Sequence, residues 1–320
     1  MVVERLRRKI AEDLKVVVIV DMEGISGIDD YRQILSGNKE FEEFGRTQIT
    51  EDVNAVIRGL KAAGVTEIRV VDAHGSGGPS TNIIPEKLEK DVKLYQDPNI
   101  FQRVKQALDK TLSAAVLVGF HAMAGTKDGF ITHTITLEPQ VKINGMPVGE
   151  TALTAFVLAD YDIPVIMATG DQALVREALA FLPEIETAQV KTSTDRRTTK
   201  CLTLAQARKI IEETATRAVS KIGKVKPLRV KRPTKIEIIF PTKEHADSAE
   251  IIPRAKRSGE TAISYVAHNA EEGEAFLYTA ISLANRLRLK PLFAELEKLE
   301  GFKKIEKDFM EKMVADWLSQ

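Results

Sequence analysis

Two short stretches of the chain each place two possible metal ligands two residues apart: two acidic side chains in the first, and an acidic side chain and an imidazole in the second. Asp21 and Glu23 form the first pair, and Asp72 and His74 form the second. Residues i and i+2 of an extended backbone point to the same side, so the members of each pair can converge on one site. Carboxylates and imidazoles without cysteine suit zinc or manganese in a hydrolytic centre.

His121 and Glu150 raise the number of candidate ligands above the requirement of a single ion. A catalytic zinc ion takes three protein ligands plus water. Five groups instead suit two metal ions about 3.5–4 Å apart with one bridging carboxylate, for which Asp21 is the natural choice. Two such ions lower the pKa of a bound water, polarise a carbonyl group and stabilise an oxyanion. The candidate metal ligands are Asp21, Glu23, His74, His121 and Glu150.

Other polar residues of the same region have roles that the spacing leaves open. His133 follows His121 closely enough for a loop to fold back, so that His133 faces the metals as an acid, a base or a nucleophile. A histidine at the solvent edge of a strand would have the same sequence context. Asp72 and Asp171 are interpreted as residues that support the ligands or the fold. The histidines left without a role are His245 and His268.

The candidate ligands follow apolar segments that have the length and composition of buried strands. Parallel strands that are covered on both faces have nearly continuous apolar sequences. The segments of this kind are Lys15–Asp21, Glu67–Asp72, Ala114–Gly119 and Pro164–Thr169. Helical patterns alternate with them, and the longest extends from about Phe41 to Ala63. Open α/β sheets bind their ligands at the carboxyl ends of the strands, which is where the candidate groups fall.

The middle of the chain departs from this alternation. Phe130–Leu137 and Gln140–Val148 are predicted to be extended, and Asn144-Gly145 is a hairpin signal within the second segment. A helix is predicted to begin near Glu150. On its own, Glu150 could simply be an acidic residue near a helix N-terminus, where the helix dipole stabilises a negative charge. Only its placement with the other groups favours a metal site.

The predicted fold class is α/β, with a mostly parallel, doubly wound sheet and a second, smaller α+β domain. A length of 320 residues fits about two domains. The expected division is an N-terminal extension with a short amphipathic helix, a metal-binding catalytic domain, a smaller α+β domain and a C-terminal helical extension, at residues 1–15, 16–190, 191–289 and 290–320.

Composition and charge argue against several other classes of protein. The 46 basic and 46 acidic residues balance, whereas a nucleic-acid binder needs a basic surplus. No apolar stretch reaches the roughly 20 residues of a transmembrane helix, and no signal peptide is recognised, so we expect a cytoplasmic protein without membrane contact. Cys201 is the single cysteine, which excludes an internal disulfide and a cysteine-based zinc cluster.

Five motifs in order resemble the DppA-type D-aminopeptidase family, whose members are dinuclear zinc peptidases. The resemblance extends from about residue 16 to residue 288 and includes VKTSTDRRTTKCL at 190–202. The five motifs are VDMEGISG (20–27), VDAHGS (71–76), GFHAMAGTKDGFITHT (119–134), INGMPVGE (143–150) and VIMATGD (165–171).

The resemblance implies a complete site with two zinc ions per subunit. Asp21 would bridge the ions, Glu23 and His121 would complete one, and His74 and Glu150 the other. His133 falls on the proposed catalytic histidine of the family. A ring-shaped homodecamer with active sites facing an internal channel is also implied. One extra residue between His121 and His133 departs from the family pattern and leaves the loop shape, and so the size of the substrate, open.

The function expected from these observations is a zinc-dependent aminopeptidase that removes an N-terminal residue, D-alanine, from short peptides or amides. The selectivity for D-residues comes from the resemblance alone. A two-metal phosphoesterase is the alternative enzyme, because the same ligands serve phosphoryl chemistry. A non-catalytic dipeptide-binding or transport accessory protein is the alternative of another kind, and it predicts peptide binding that persists without metal.

Overall fold

The structure is a computed structural model that describes residues 13–76, 81–96, 100–136 and 139–319. The amphipathic helix predicted for the first fifteen residues lies almost wholly outside the described residues. The strands are β1 (Lys15–Val20), β2 (Glu67–Asp72), β3 (Lys93–Tyr95), β4 (Ala114–Val118), β5 (Gln140–Ile143), β6 (Met146–Val148), β7 (Val165–Asp171), β8 (Glu186–Ser193), β9 (Thr199–Cys201), β10 (Thr234–Ile239), β11 (Lys256–Gly259) and β12 (Ala262–Ala267).

Helices connect most of these strands. A π-helical turn, Phe41–Gly45, precedes the first helix, and short 3-10 turns cover Tyr31–Gln33, Pro85–Lys87 and Val219–Lys221. The α-helices are α1 (Arg46–Ala62), α2 (Ile100–Ala107), α3 (Glu150–Asp160), α4 (Gln172–Phe181), α5 (Leu204–Ala218), α6 (Lys243–Glu250), α7 (Ala270–Leu296) and α8 (Phe302–Leu318).

A seven-stranded sheet in the order β3-β2-β1-β4-β7-β8-β9 forms the larger layer. Its strands are parallel except for β9, which pairs with β8 in the antiparallel direction. The predicted α/β class with a mostly parallel sheet is confirmed. The strand β1 lies between β2 and β4, so the carboxyl ends of these three strands meet at one edge of the sheet.

Both faces of the large sheet are covered, as a doubly wound fold requires. Val16, Val18 and Val20 point into one core with α1 and α5. Val17 and Ile19 point into the opposite core with α2, α3 and α4. Because successive side chains of a strand alternate between faces, a strand covered on both sides needs an unbroken apolar run, which β1 has.

A five-stranded antiparallel sheet in the order β11-β12-β10-β5-β6 forms the smaller layer. The helices α6 and α7 and one side of α3 pack against it. Its strands come from two separate parts of the chain, 140–148 and 234–267. The expected boundary between residues 190 and 191 falls inside β8, and β8, β9 and α5 belong to the large layer. The division into domains at that boundary stays a prediction. The two sheets divide the chain differently, because residues 140–148 belong to the small sheet and β8 and β9 to the large one.

Two local predictions for the middle of the chain have different outcomes. The hairpin is confirmed, because β5 and β6 are joined at Asn144 and Gly145 with φ of 50° and 85°. The prediction that Phe130–Leu137 is extended is wrong for the described residues of this segment. They form an irregular loop with one isolated bridge between Thr134 and Thr136. Leu137 itself lies outside the described residues.

The predicted C-terminal helices are present as the end of α7 and as α8. The helix α8 has no buried residue, and Ile305, Phe309 and Trp317 are among its exposed apolar side chains. None of the helices in the described part of the chain combines the length and the apolar character needed to cross a membrane.

Candidate metal centre

The large sheet brings its candidate ligands together at the carboxyl ends of three adjacent strands. Asp21 comes directly after β1, His74 lies two residues beyond β2, and His121 lies three residues beyond β4. Glu150 arrives from the small sheet, because it is the first residue of α3 and follows the β5–β6 hairpin. Ligands that are far apart in sequence therefore meet at one edge of the large sheet.

The ligand atoms form two groups that share Asp21. In the first, His74 Nδ1 lies 3.1 Å from Asp21 Oδ1 and 3.5 Å from Glu23 Oε2. In the second, His121 Nε2 lies 3.3 Å from Asp21 Oδ2 and 3.4 Å from Glu150 Oε1. One oxygen of Asp21 faces each group, which is the arrangement of a bridging carboxylate.

The pairing within these groups differs from the one that the resemblance implies. Glu23 lies with His74, and Glu150 lies with His121, whereas the resemblance pairs Glu23 with His121. Glu23 and His121 do meet in a third group, which also contains His133. All the ligand atoms within each group lie within 4.8 Å of one another.

Several buried atoms at the centre have no hydrogen-bond partner among the described residues. They are Asp21 Oδ2, Glu23 Oε2 and His121 Nε2. A buried polar atom without a partner costs free energy, on the order of 1–3 kcal/mol. Oxygen and imidazole nitrogen atoms at such spacings are the donors that zinc takes in proteins. The residues therefore fit a metal centre, because bound cations would satisfy the unpaired atoms.

Backbone carbonyl groups set the orientation of the two ligand imidazoles. His74 Nε2 donates to the carbonyl oxygen of Ile34 at 2.9 Å, and His121 Nδ1 donates to that of Ala122 at 3.0 Å. A carbonyl oxygen only accepts, so the nitrogen facing it carries the hydrogen. In each neutral ring the other nitrogen then presents its lone pair to the carboxylates, as a metal ligand must.

The charges of the centre stabilise one another. Burial disfavours an ionised Glu23, but the imidazoles of His74 and His121 outweigh burial and hold its pKa well below the usual range. Burial also opposes protonation of both imidazoles, but the carboxylates beside them raise the pKa of His74 and of His121 well above the usual value. A metal cation must displace the protons of these imidazoles, so the affinity of the protein for the metal should fall as the pH is lowered.

His133 lies over the second ligand group. Its ring stacks on that of His121 with centroids 3.9 Å apart and planes 11° apart. Its Nδ1 donates to the carbonyl oxygen of Ile131 at 2.8 Å. Its Nε2 lies 3.8 Å from Glu23 Oε1 and 3.7 Å from Glu150 Oε1. The ring is thus held with Nε2 directed at the ligands.

The loop that carries His133 is fixed at both ends by strained residues. Ile131 and Ile135 have φ of 46° and 67°, a region that β-branched residues rarely adopt. The backbone N–H of Ile135 donates to Glu150 Oε1 at 2.6 Å. The Arg196 guanidinium donates to the carbonyl oxygen of Thr132 at 3.0 Å, and the Arg196 carbonyl accepts from Ile131 N. These contacts hold the strained backbone and so the position of His133.

Two glycines allow the loops after β1 and β4 to touch. A Cβ atom at Gly24 would lie 2.1 Å from the carbonyl oxygen of Phe120. Gly119 has φ of 71°, and a Cβ there would lie 2.4 Å from the carbonyl oxygen of Asp21. Larger residues would separate Asp21 and Glu23 from His121, so this close approach is a condition for the ligand cluster.

The buried Lys191 on β8 supports the same loop and was not singled out from the sequence. Its ammonium group donates to the carbonyl oxygens of Glu23 at 2.8 Å and Ile28 at 2.6 Å. Burial lowers the pKa of Lys191 to about 8. The only sequence signal for it was its place in the motif VKTSTDRRTTKCL.

Asp72 supports the backbone at His74. It accepts from Asn82 Nδ2 at 2.7 Å, and the same amide group donates to the carbonyl oxygen of His74 at 2.9 Å. Asp171 supports the loop of His133, because it accepts from Phe130 N at 2.9 Å and caps α4 through Leu174 N.

The two remaining histidines of the sequence lie elsewhere. His245 is on α6, where its ring contacts Thr242 Oγ1 at 2.9 Å, and His268 is exposed after β12. Neither belongs to a metal-binding group within the described residues.

A cavity of about 80 Å³ adjoins the cluster, and Asp21 and Glu150 form part of its wall. Apolar side chains make up most of the rest, among them Leu153 and Val157 of α3 and Leu277 of α7. The cavity gives Glu150, the ligand with the most exposed side chain at 23%, access to a small molecule.

Comparisons with known proteins give one family and one relative with a solved structure. The family model of peptidase M55, described as D-aminopeptidase, matches residues 14–278. The D-aminopeptidase of Bacillus subtilis (strain 168) is 33% identical over 276 residues, which cover 85% of this chain and 98% of that protein. The structure described as Zn-dependent D-aminopeptidase DppA from Bacillus subtilis, a self-compartmentalizing protease, matches with a TM-score of 0.80, 33% identity and the same coverage.

Proposed function

The chain belongs to the D-aminopeptidase family, and from this premise we propose that it removes N-terminal D-residues, D-alanine among them, from short peptides or amides with two zinc ions per subunit. The observation that carries the proposal is the pair of ligand groups that share the two oxygens of Asp21. Bound zinc would supply Lewis acidity for a carbonyl group and for water. Glu23 and His74 would hold one ion, and His121 and Glu150 the other.

His133 is the proposed catalytic residue. Its Nδ1–H is engaged by the carbonyl oxygen of Ile131, so a neutral ring directs the lone pair of Nε2 toward the ligands. At this atom His133 can take a proton from the attacking water and pass it to the leaving amine. The stacked ring of His121 and the strained loop limit rotation of His133, which keeps Nε2 in reach of the reacting atoms.

We also propose a homodecamer and a cytoplasmic location. The solved relative is described as self-compartmentalizing, and 98% of its length is covered by the match, which supports an assembly of the same kind. A single cysteine, Cys201, is consistent with a reducing compartment.

The test of the proposed function is hydrolysis of D-alanine and L-alanine amides before and after removal of metal. We expect activity to disappear with a chelator, to return with zinc, and to favour the D-amide. Absence of metal-dependent hydrolysis of both amides would overturn the proposal. Turnover of nitrophenyl phosphate without amide hydrolysis would instead support a two-metal phosphoesterase.

A further inference from the structure

The cavity beside the metal centre extends along α7 and contains one carboxylate that is no candidate ligand. Asp21 and Glu150 line it at one place, and Glu274 and Tyr278 line it from α7. Glu274 and Tyr278 are one helical turn apart, about 6 Å along the axis. Burial raises the pKa of Tyr278, and the charges of Glu150, Glu274 and Asp21 act in the same direction. Glu150 and Leu153 line the cavity alone, whereas Val157, Glu274 and Tyr278 also line the wider cleft outside it, so Glu274 lies at the end of the cavity away from the metals.

Beyond Glu274 the cavity joins an outer cleft of about 750 Å³. Two other carboxylates of that cleft have cationic partners: Glu271 Oε1 lies 3.0 Å from Lys105 Nζ, and Asp160 pairs with Arg232. No hydrogen bond or ion pair to Glu274 occurs among the described residues. Glu274 is thus a carboxylate without a cation at the junction between cavity and cleft.

The environment of Glu274 favours the arrival of a cation. Burial, followed by the nearby charge of Glu271, raises the pKa of Glu274 to about 7. A carboxylate that is removed from water without a partner is costly, and an ammonium group placed against it offsets that cost. The walls of the cavity are mainly apolar, with Thr154 and Tyr278 as the polar side chains besides the carboxylates, and they suit a chain of methylene groups.

We propose that the cavity is a subsite for a long basic side chain on the N-terminal residue of the substrate. The methylene stem, of lysine length, lies against Leu153, Val157 and Leu277, and its ammonium group binds the carboxylate of Glu274. The methyl group of alanine fills only the metal end of the same cavity, so alanine substrates are accepted without reaching Glu274. This inference rests on the proposed aminopeptidase function, because it places the scissile bond at the metal centre.

The experiment measures kcat/KM of the zinc-loaded full chain for three substrates, the p-nitroanilides of D-lysine, D-norleucine and D-alanine. D-norleucine has the same stem as D-lysine without the charge. A hydrogen bond between charged groups contributes about 1.5–3 kcal/mol, so we expect kcat/KM for D-lysine to exceed that for D-norleucine by about 10- to 100-fold. Glu274→Gln should reduce this ratio to near one, and Glu274→Asp should leave an intermediate ratio.

The control is Glu244→Gln, at an exposed carboxylate of α6 that lines neither the cavity nor the outer cleft. It should leave the ratio as in the wild type. Equal ratios for the wild type and Glu274→Gln, with alanine and norleucine substrates turned over, would overturn the subsite and leave the aminopeptidase function intact. Circular dichroism and zinc content identify a variant that fails to fold.

A binding measurement tests the subsite even if no substrate is hydrolysed. Calorimetric titration of the zinc-loaded protein with free D-lysine and D-norleucine should show tighter binding of D-lysine, by about tenfold or more, and loss of that difference in Glu274→Gln. Loss of turnover with this difference retained would contradict the proposed function only. Equal affinities in the wild type would overturn the subsite.

Discussion

Asp21 is the residue on which both ligand groups depend, because each of its oxygens faces a different imidazole. We predict that Asp21→Asn abolishes binding of both zinc ions: the amide has no negative charge, and its nitrogen cannot act as a ligand. Metal analysis after dialysis should give close to no zinc per chain, against about two in the wild type. The exposed Asp13→Asn is the control, and full zinc content in Asp21→Asn would exclude the bridging role.

His133 is expected to affect the reaction and not the retention of metal. Replacement by glutamine removes the ring nitrogen that exchanges protons, so kcat should fall by about 10²- to 10⁴-fold. Zinc content should stay at the wild-type value. The variant His268→Ala, at an exposed histidine of the small layer, is the control for general effects. A kcat within about twofold of the wild type would contradict a proton-transfer role for His133.

Glu177 on α4 makes the stability of the metal-free protein depend on pH. One of its oxygens accepts from Met123 N at 2.7 Å, the other is buried without a partner, and burial raises its pKa from 4.5 to about 7. The folded state therefore binds a proton more tightly than the unfolded state, and its stability falls as pH rises from about 4.5 to about 7.

Glu177→Gln should remove this dependence. The difference in the free energy of unfolding between the variant and the wild type should grow in favour of the variant by about 3 kcal/mol between pH 4.5 and pH 8. Denaturant unfolding of chelator-treated protein measures it, with the exposed Glu184→Gln as the control. A difference that is constant over this range would show that Glu177 ionises as in water.

At the scale of elements, the loops after β1 and β4 depend on their glycines. Gly24→Ala should force these loops apart, because its Cβ would lie 2.1 Å from the carbonyl oxygen of Phe120. We expect loss of zinc and a lower unfolding temperature. Gly75→Ala is the matched control, since Gly75 follows a ligand at the end of the adjacent strand, lies in open space and has no positive φ. Equal zinc content in both variants would contradict the argument.

The strands that end in ligands could be predicted from the sequence because their signals are local. Short apolar runs, β-branched from Val16 to Val20 in β1, identify strands covered on both faces, and parallel strands bring their carboxyl ends to one edge. This reasoning identified the strand ends at Asp21, His74 and His121 and placed them side by side. The Asn144-Gly145 hairpin was equally local, since its φ angles depend on two residues.

Features that depend on distant contacts could not be predicted in this way. The loop around His133 reads as a strand in sequence, but Arg196 and Glu150 hold Ile131 and Ile135 in left-handed conformations. Lys191 lies in a strand that the sequence pattern missed, and its two carbonyl partners belong to the loop after β1. In both cases the decisive partner is far away along the chain.

At the scale of the whole molecule, α8 stands apart from the catalytic machinery. It has no buried residue and lies beyond the family match, which ends at residue 278. We predict that removal of residues 297–320 leaves zinc content and kcat/KM for alanine amides within about twofold of the full chain. The assembly size, measured by light scattering, should also persist, because the family match ends at residue 278, before α8 begins. Loss of activity on truncation would place α8 at the active site.

The meeting of both sheets at the metal centre has a thermal consequence. Glu150 follows the hairpin of the small sheet, whereas Asp21, His74 and His121 follow strands of the large one. Ions bound to both sets of ligands add their binding free energy only while the two layers stay docked. Calorimetry of the zinc-loaded protein should therefore show one cooperative melting peak, with calorimetric and van't Hoff enthalpies in agreement. After chelation the small layer should melt first, as a separate peak at lower temperature.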